Sequence, residues 1–136
     1  MSIGDERVSG RLRLVRAEEC TSETAQTGGM ARTAALAAAT VGSQGLWMGL
    51  TRVEPDTSSA AHHHGHSETG IYVVEGTPVF SYREGADIVE LHAAPGDFVY
   101  VPPFVAHVES NVGDTKAVVV IARSTQEAIV ENLEAL

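Results

Sequence analysis

Residues 96–111 read GDFVYVPPFVAHVESN, and this segment carries the clearest structural and chemical signals in the chain. The turn residues Pro95-Gly96-Asp97 precede the apolar run Phe98–Val101, which is typical of a strand that follows a tight turn. Two prolines then form a rigid lead into a second run, Phe104–Ser110, which contains His107. The segment therefore predicts two short strands, and the second of them carries an imidazole.

Further short strands are predicted on both sides of this segment. Each is a run of apolar, β-branched or aromatic residues bounded by turn residues such as Glu84-Gly85. Short strands repeated about every 8–12 residues are typical of an all-β sandwich or barrel. The predicted strands outside residues 96–111 are Leu46–Val53, Ile71–Val74, Pro78–Tyr82, Ile88–Leu91 and Lys116–Ala122.

The two ends of the chain give less regular signals. Arg11–Arg16 alternates polar and apolar residues, which predicts a half-buried strand. Met30–Thr40 is rich in alanine, whose propensity favours a helical turn. Ser124–Leu136 is ambiguous, because Ser124 and Glu127 have the spacing of a helix capping box while the apolar residues that follow prefer a strand.

Length and charge restrict the classes of function. The chain has 136 residues and a mass of 14.3 kDa, which fits a single domain over residues 1–136. Nine Lys and Arg against eighteen Asp and Glu give a formal charge of −9, so we expect neither nucleic acid nor an anionic membrane as a partner. The N-terminus has no apolar signal-peptide core, so a cytoplasmic location is expected, and Cys20 is alone, which excludes an intrachain disulfide.

Four further histidines lie in one short segment, Ala61-His62-His63-His64-Gly65-His66. Alternate side chains of an extended segment point the same way, so His62, His64 and His66 can share one face while His63 points away. Glu68 has the same parity if the strand continues. Imidazoles with a carboxylate form a ligand set for transition metals, so this segment is either a metal site or a solvated polar loop.

The segment around His107 resembles the second sequence motif of the cupins, which runs G-x5-P-x-G-x2-H-x3-N. Gly96, Pro102, His107 and Asn111 stand at the matching positions. The middle glycine of the motif is replaced by Phe104.

The histidine-rich segment resembles the first cupin motif, G-x5-H-x-H-x3-4-E-x6-G. His62, His64 and Gly76 match it, and Asp56 stands in place of the opening glycine. The acidic position falls on Glu68 when it is counted from His64, but on Thr69 when it is counted from Gly76. The resemblance covers approximately residues 46–122 and extends to small bacterial cupins that have an H-H-H-G and a P-P-F-x-x-H segment.

This resemblance implies a single-domain jelly-roll barrel, the double-stranded β-helix of cupins, with N- and C-terminal extensions. It also implies that His62, His64 and His107 bind one divalent transition metal, Fe, Mn, Zn or Ni, inside the barrel mouth. Glu68 is the expected fourth ligand if a bulge turns it inward, and His66 or water is the alternative. If Glu68 does not bind the metal, it is the expected general base.

The function implied by the resemblance is a metal-dependent enzyme acting on a small organic molecule. Iron or manganese would suit a dioxygenase-like reaction, while zinc, nickel or manganese would suit an isomerase, lyase or cyclase. The alternative is a non-catalytic cupin that binds a small ligand or stores a metal. A homodimer formed through the sheets is also expected, with the apolar tail Ala128–Leu136 as a packed or exchanged edge.

Overall fold

The computed structural model describes residues 10–126 and 130–136. These residues form mainly short strands, with a 3₁₀ turn at Ala17–Glu19 and a four-residue helix, α1 (Ala38–Val41). The strands are β1 (Ala31–Leu36), β2 (Trp47–Val53), β3 (Thr57–Ser58), β4 (Ala61–His63), β5 (Thr69–Glu75), β6 (Val79–Glu84), β7 (Asp87–His92), β8 (Phe98–Val101), β9 (His107–Asn111), β10 (Ala117–Arg123) and β11 (Glu131–Leu133).

The strands build two antiparallel sheets. The first has the order β1-β2-β10-β5-β8, and the second has the order β11-β4-β9-β6-β7, with β3 beside β9. The apolar core includes Ile71, Val73, Val119 and Ile121 of the first sheet and Phe80 of the second. The all-β prediction is therefore confirmed. Within the described residues, the helices are too short or too polar to cross a bilayer.

Alternation along the first sheet decides which side chains reach the interior of the barrel. Every second residue of β2 and β10 is buried, beginning at Trp47 and Ala117 respectively. The strand register then places Trp47 opposite Arg123, Arg123 opposite Thr69, and Thr69 opposite Val101. We call these four residues the cross-strand row. Its middle two members are polar, which is unusual for a barrel interior.

The strand predicted at Arg11–Arg16 is wrong. The structure has no strand there, and the two leucines of the segment are exposed, Leu12 fully and Leu14 to 72%. An alternating segment becomes a strand only when a neighbour takes up its backbone hydrogen bonds, and the structure pairs no strand with this one. The alternation therefore had no structural consequence.

The alanine-rich segment Met30–Thr40 is mostly a strand instead of the expected helical turn. β1 pairs with β2 along its length, and only the last residues coil into α1, which ends at Gly42 in a left-handed conformation. Helix propensity is worth only tenths of a kcal/mol per residue, so pairing with a neighbouring strand readily overrides it.

The C-terminal tail, whose sequence was ambiguous between helix and strand, contains the strand β11. This strand pairs with β4, so that Asn132 lies opposite His62. The tail therefore covers the free edge of the strand that carries the first histidine. Glu127, the second residue of the predicted capping box, lies outside the described residues.

Two motif glycines and one replaced glycine share a left-handed backbone. Gly76 has a φ of +83° and Gly96 a φ of +98°, as expected for turn glycines. A Cβ on Gly76 would lie 2.7 Å from both Ala117 Cα and the Lys116 carbonyl oxygen, whereas one on Gly96 would meet nothing within 4 Å. Phe104, at the position of the missing motif glycine, keeps a φ of +64°. These three motif positions are therefore places where the chain adopts a left-handed backbone conformation.

Asn111, the last residue of the second motif, has a structural role. Its amide donates hydrogen bonds to the carbonyl oxygens of Val53 at 3.0 Å and Thr115 at 2.8 Å, and its Oδ1 accepts one from the Gly113 N–H at 3.1 Å. All the hydrogen-bonding atoms of this buried amide are engaged with the backbone. The asparagine therefore closes the turn between β9 and β10.

Candidate metal centre

Three histidines converge in the interior of the barrel. One ligand atom from each of His62, His64 and His107 lies within 4.8 Å of the others. The three side chains are almost fully buried, with exposures of 1%, 4% and 6%. His62 on β4 lies directly opposite His107 on β9, and their ring centroids are 4.3 Å apart. These are the three histidines that the resemblance predicts as metal ligands.

The histidine-rich segment delivers two of its four imidazoles to this cluster. β4 ends at His63, and Gly65 then adopts a left-handed conformation that redirects the chain. His64 still points inward, whereas His66 is exposed beyond the turn. His63 is half-buried and its Nδ1 accepts a hydrogen bond from the Gly65 N–H at 3.0 Å. The alternation argument therefore holds for His62, His63 and His64 and fails at Gly65.

Backbone carbonyls hold two of the imidazoles in one tautomer. The Nδ1–H of His62 donates to the Ala60 carbonyl at 2.9 Å, and that of His107 donates to the Val105 carbonyl at 3.1 Å. Since a carbonyl oxygen can only accept, the proton must reside on Nδ1, and Nε2 keeps its lone pair. Metal-binding histidines are commonly oriented in this way through their second nitrogen.

Burial keeps all three imidazoles neutral. Desolvation, followed by the proximity of His107, lowers the pKa of His62 to about 3 and that of His64 to about 2. Desolvation also lowers the pKa of His107, although its hydrogen bond to the Val105 carbonyl acts in the opposite direction. Neutral imidazole is the form that binds metals, so the cluster needs no proton release before it can act as a ligand set.

The structure does not bring Glu68 or His66 into the cluster. Both side chains are exposed, and the Glu68 carboxylate accepts a hydrogen bond from the hydroxyl of Tyr100. The inward position at the start of β5 belongs to Thr69, which is 1% exposed. The count from Gly76 therefore identifies the residue that faces the interior, and no bulge at Glu68 reverses it. The same exposed position separates Glu68 from the histidines, so the structure does not place it where a general base beside the metal would act.

Replacing Glu68 tests its role as a ligand. We expect Glu68→Gln to keep the full metal content of the parent protein, because its carboxylate contacts Tyr100 and not the histidines. The amide can still accept the Tyr100 hydrogen bond, so stability should change by less than about 0.5 kcal/mol. Elemental analysis of the two proteins provides the measurement. Loss of metal from Glu68→Gln would restore Glu68 to the ligand set.

An apolar cavity of about 230 Å³ lies beside the cluster. His107 forms part of its wall, and the other walls come from β6, β7, β8 and the segment that leads into β9. A cavity of this size accommodates a small organic molecule next to His107. Its lining residues are Phe80, Ser81, Tyr82, Leu91, Val99, Tyr100, Val101, Pro102, Val105 and His107.

Three charged residues in the barrel interior were missed by the sequence analysis: Arg32, Glu109 and Arg123, each no more than 2% exposed. Arg32 is hydrogen-bonded to the Ala25 carbonyl at 2.8 Å and the Thr27 hydroxyl at 3.1 Å. Glu109 follows His107 by two residues, and Arg123 ends the alternation of β10. Strand parity could have found Glu109, whereas Arg123 lies just beyond the predicted strand Lys116–Ala122 and Arg32 was hidden by the helical interpretation of its segment.

The electrostatics of these charged residues follow from their burial. Desolvation raises the pKa of Glu109 to about 7, while the nearby Arg32 guanidinium acts in the opposite direction. Desolvation likewise lowers the pKa of Arg123 to about 10, with a further contribution from Arg32. Two guanidinium groups and one carboxyl group thus share the interior with three neutral imidazoles, so the interior has an excess of positive charge.

Two facing antiparallel sheets around three neutral, buried histidines define a small metal-binding barrel protein. Residues 49–122, which make up more than half of the chain, match the family model of the cupin domain. The chain belongs to the cupin family, and the jelly-roll barrel expected from the two motifs is confirmed. A comparison with curated protein sequences found no significant match.

Solved structures share this fold at low sequence identity. Peruvianin-I, described as a cysteine peptidase from Thevetia peruviana latex, superposes with a TM-score of 0.75 at 16% identity, over 90% of this chain and 78% of its own. Oxalate oxidase in complex with glycolate gives 0.70 at 20% identity, over 83% of this chain and 58% of its own.

The oxalate decarboxylase of Bacillus subtilis, a protein with Mn(II) centres, gives a TM-score of 0.71 at 19% identity, over 82% of this chain. The present chain spans 58% of the oxalate oxidase chain and 30% of the decarboxylase chain. At these identities the likeness establishes the fold alone.

Proposed function

We propose that this cupin is a metal-dependent enzyme that acts on a small organic molecule inside its barrel. The observation that carries the proposal is the convergence of three buried, neutral imidazoles beside an apolar cavity of about 230 Å³. His107 belongs to both the cluster and the cavity wall. A molecule in the cavity would therefore lie against the metal-binding group.

The three histidines are proposed as the whole protein ligand set. A metal held by three protein ligands keeps coordination positions for water or substrate, which distinguishes catalytic sites from closed structural ones. When bound, a divalent metal would supply Lewis-acid chemistry, and a redox-active one would add oxygen chemistry. The carbonyls of Ala60 and Val105 keep two imidazoles aimed at the cluster, and the wall of the cavity beside His107 is mainly apolar.

Imidazole ligands alone are compatible with several metals, so Fe, Mn, Zn and Ni all remain candidates. Their identity decides the reaction class to be tested. Iron or manganese would direct assays to oxygen consumption with small organic substrates, and zinc or nickel would direct them to isomerase, lyase and cyclase reactions.

Elemental analysis of protein purified without a tag or nickel column tests the metal part of the proposal. We expect one equivalent of one of the four metals, either as purified or after anaerobic reconstitution. The double variant His62→Ala/His107→Ala, which lacks two of the three ligands, should contain none. A parent protein that retains no metal after reconstitution would refute the proposal.

Mass spectrometry of a small-molecule extract incubated with the metal-loaded protein tests the catalytic part. An enzyme should deplete one compound and generate a product, and the double variant should do neither. If the protein instead retains a compound unchanged, with no product formed, the barrel is a binding module and the enzymatic proposal is wrong.

A further inference from the structure

The cross-strand row places an arginine and a threonine side by side in the barrel interior. Arg123 is 2% exposed and its guanidinium lies 3.9 Å from the centre of the Trp47 ring. Thr69, directly opposite Arg123 on the neighbouring strand, is 1% exposed. Both side chains therefore face inward at the same end of the first sheet.

Neither side chain has a protein hydrogen-bond partner. Within residues 10–126 and 130–136, all three guanidinium nitrogens of Arg123 and the hydroxyl of Thr69 lack one. No carboxylate in this part of the chain lies within 4.0 Å of the Arg123 nitrogens. Burial of an unpaired cation is strongly unfavourable, and stacking on Trp47 offsets only part of that cost. The pair therefore has unused capacity to bind an anion.

The row connects this pair to both parts of the proposed active site. Val101, opposite Thr69, forms part of the wall of the apolar cavity. Arg123 is also near enough to the histidine cluster for its charge to contribute to the lowered pKa of His64. Of the row, only Val101 lines the cavity, so a small molecule with its apolar part in the cavity would have to extend past Val101 to place a charged part at Arg123 and Thr69.

Thr69 also occupies the position of a missing protein carboxylate. Counted from Gly76, Thr69 stands where the first cupin motif has its glutamate, and Glu68 points to the surface. The chain has a neutral hydroxyl at that position and a guanidinium opposite it. At the motif position, the chain therefore lacks the negative charge of the glutamate.

We propose that Arg123 and Thr69 bind the carboxylate of a small organic anion beside the three-histidine cluster. The anion supplies the negative charge that the motif glutamate supplies in other cupins. The planar guanidinium fork matches the two oxygens of a carboxylate, and the hydroxyl adds a further donor. This inference names the substrate class of the proposed function and rests on it.

The fluorescence of Trp47 gives a direct measurement, because it is the only tryptophan in the chain and lies against Arg123. The zinc-loaded protein should be titrated with lactate, with its neutral counterpart lactamide, and with inorganic phosphate. We expect a saturable change in emission with lactate, at least about tenfold weaker binding of lactamide, and no tighter binding of phosphate. Equal affinity for lactate and lactamide, or tighter binding of phosphate, would overturn the carboxylate assignment.

Three variants separate this proposal from the metal proposal. Arg123→Gln should weaken lactate binding about 10- to 100-fold and Thr69→Val about 2- to 10-fold, while both retain the metal content of the parent. Arg52→Gln, on the opposite face of neighbouring β2, is the matched control and should bind lactate like the parent. If Arg123→Gln fails to fold, Arg123→Lys keeps the charge without the fork and should give an intermediate loss.

The outcomes of these titrations remain distinct from those of the metal analysis. Undiminished lactate binding by Arg123→Gln or Arg123→Lys would overturn the assignment, whatever the metal content. If the parent protein takes up no metal, the same titrations on the metal-free protein still decide whether Arg123 binds a carboxylate. If the parent takes up no metal but binds lactate through Arg123, the metal proposal is refuted and the carboxylate assignment is supported.

Discussion

Replacing His107 by alanine is expected to weaken metal binding by more than about 100-fold. Loss of an outer-shell partner already weakens a metal site about 10- to 100-fold, and His107 is proposed as one of only three direct ligands. Its Nδ1–H is fixed by the Val105 carbonyl, and within the described part of the chain the metal-binding cluster contains only His62, His64 and His107. Competition with a chelator of known affinity measures the change.

His92→Ala is the matched control for this experiment. Its side chain is 71% exposed and lies 3.3 Å from Glu90 on the protein surface. It should bind metal like the parent, which excludes a general effect of histidine number. Circular dichroism should verify that both variants are folded. Metal binding by a folded His107→Ala protein at parental affinity would remove His107 from the ligand set and with it the proposed centre.

Gly76→Ala is expected to destabilise the fold by about 3 kcal/mol. A left-handed backbone costs a non-glycine residue about 1–2 kcal/mol, and the steric overlap adds about 1–3 kcal/mol. The overlap arises because the new Cβ would lie 2.7 Å from backbone atoms of Lys116 and Ala117, which cannot rotate away. Urea denaturation measures the free energy of unfolding.

Gly96→Ala is the appropriate comparison, because it has a similar φ without the overlap. It should cost only the backbone term, about 1–2 kcal/mol. The difference between the two variants therefore isolates the close approach of the β5–β6 turn to the start of β10. Equal destabilisation by the two substitutions would show that this approach does not constrain the fold.

The metal cluster was predictable because motif spacing and strand parity agree at its three residues. His62 and His64 are two residues apart in an extended segment, and His107 stands at its position in the second motif. The alternation argument that groups His66 and Glu68 with these histidines fails at Gly65, whose left-handed backbone ends the extended segment after His64. Parity cannot be carried across such a turn, which is why His66 and Glu68 are at the surface instead of in the cluster.

The two buried arginines were not predictable in the same way. Arg123 ends a strand, where a long side chain has equal access to solvent and interior, and only the pairing of β10 with β2 and β5 determines its direction. Arg32 required β1 to be recognised as a strand, which depends on a distant partner and not on alanine propensity. Tertiary pairing decided both positions.

The homodimer stays a prediction.

Phe104 offers a practical advantage for these experiments. It keeps a left-handed backbone, its ring is 66% exposed, and its N–H donates to the Gly65 carbonyl at 2.7 Å, a bond that any residue except proline could make. Glycine at this position would relieve about 1 kcal/mol of backbone strain. A Phe104→Gly background would therefore provide a margin of stability in which destabilising variants of the interior, including those at Arg123, can be purified and compared.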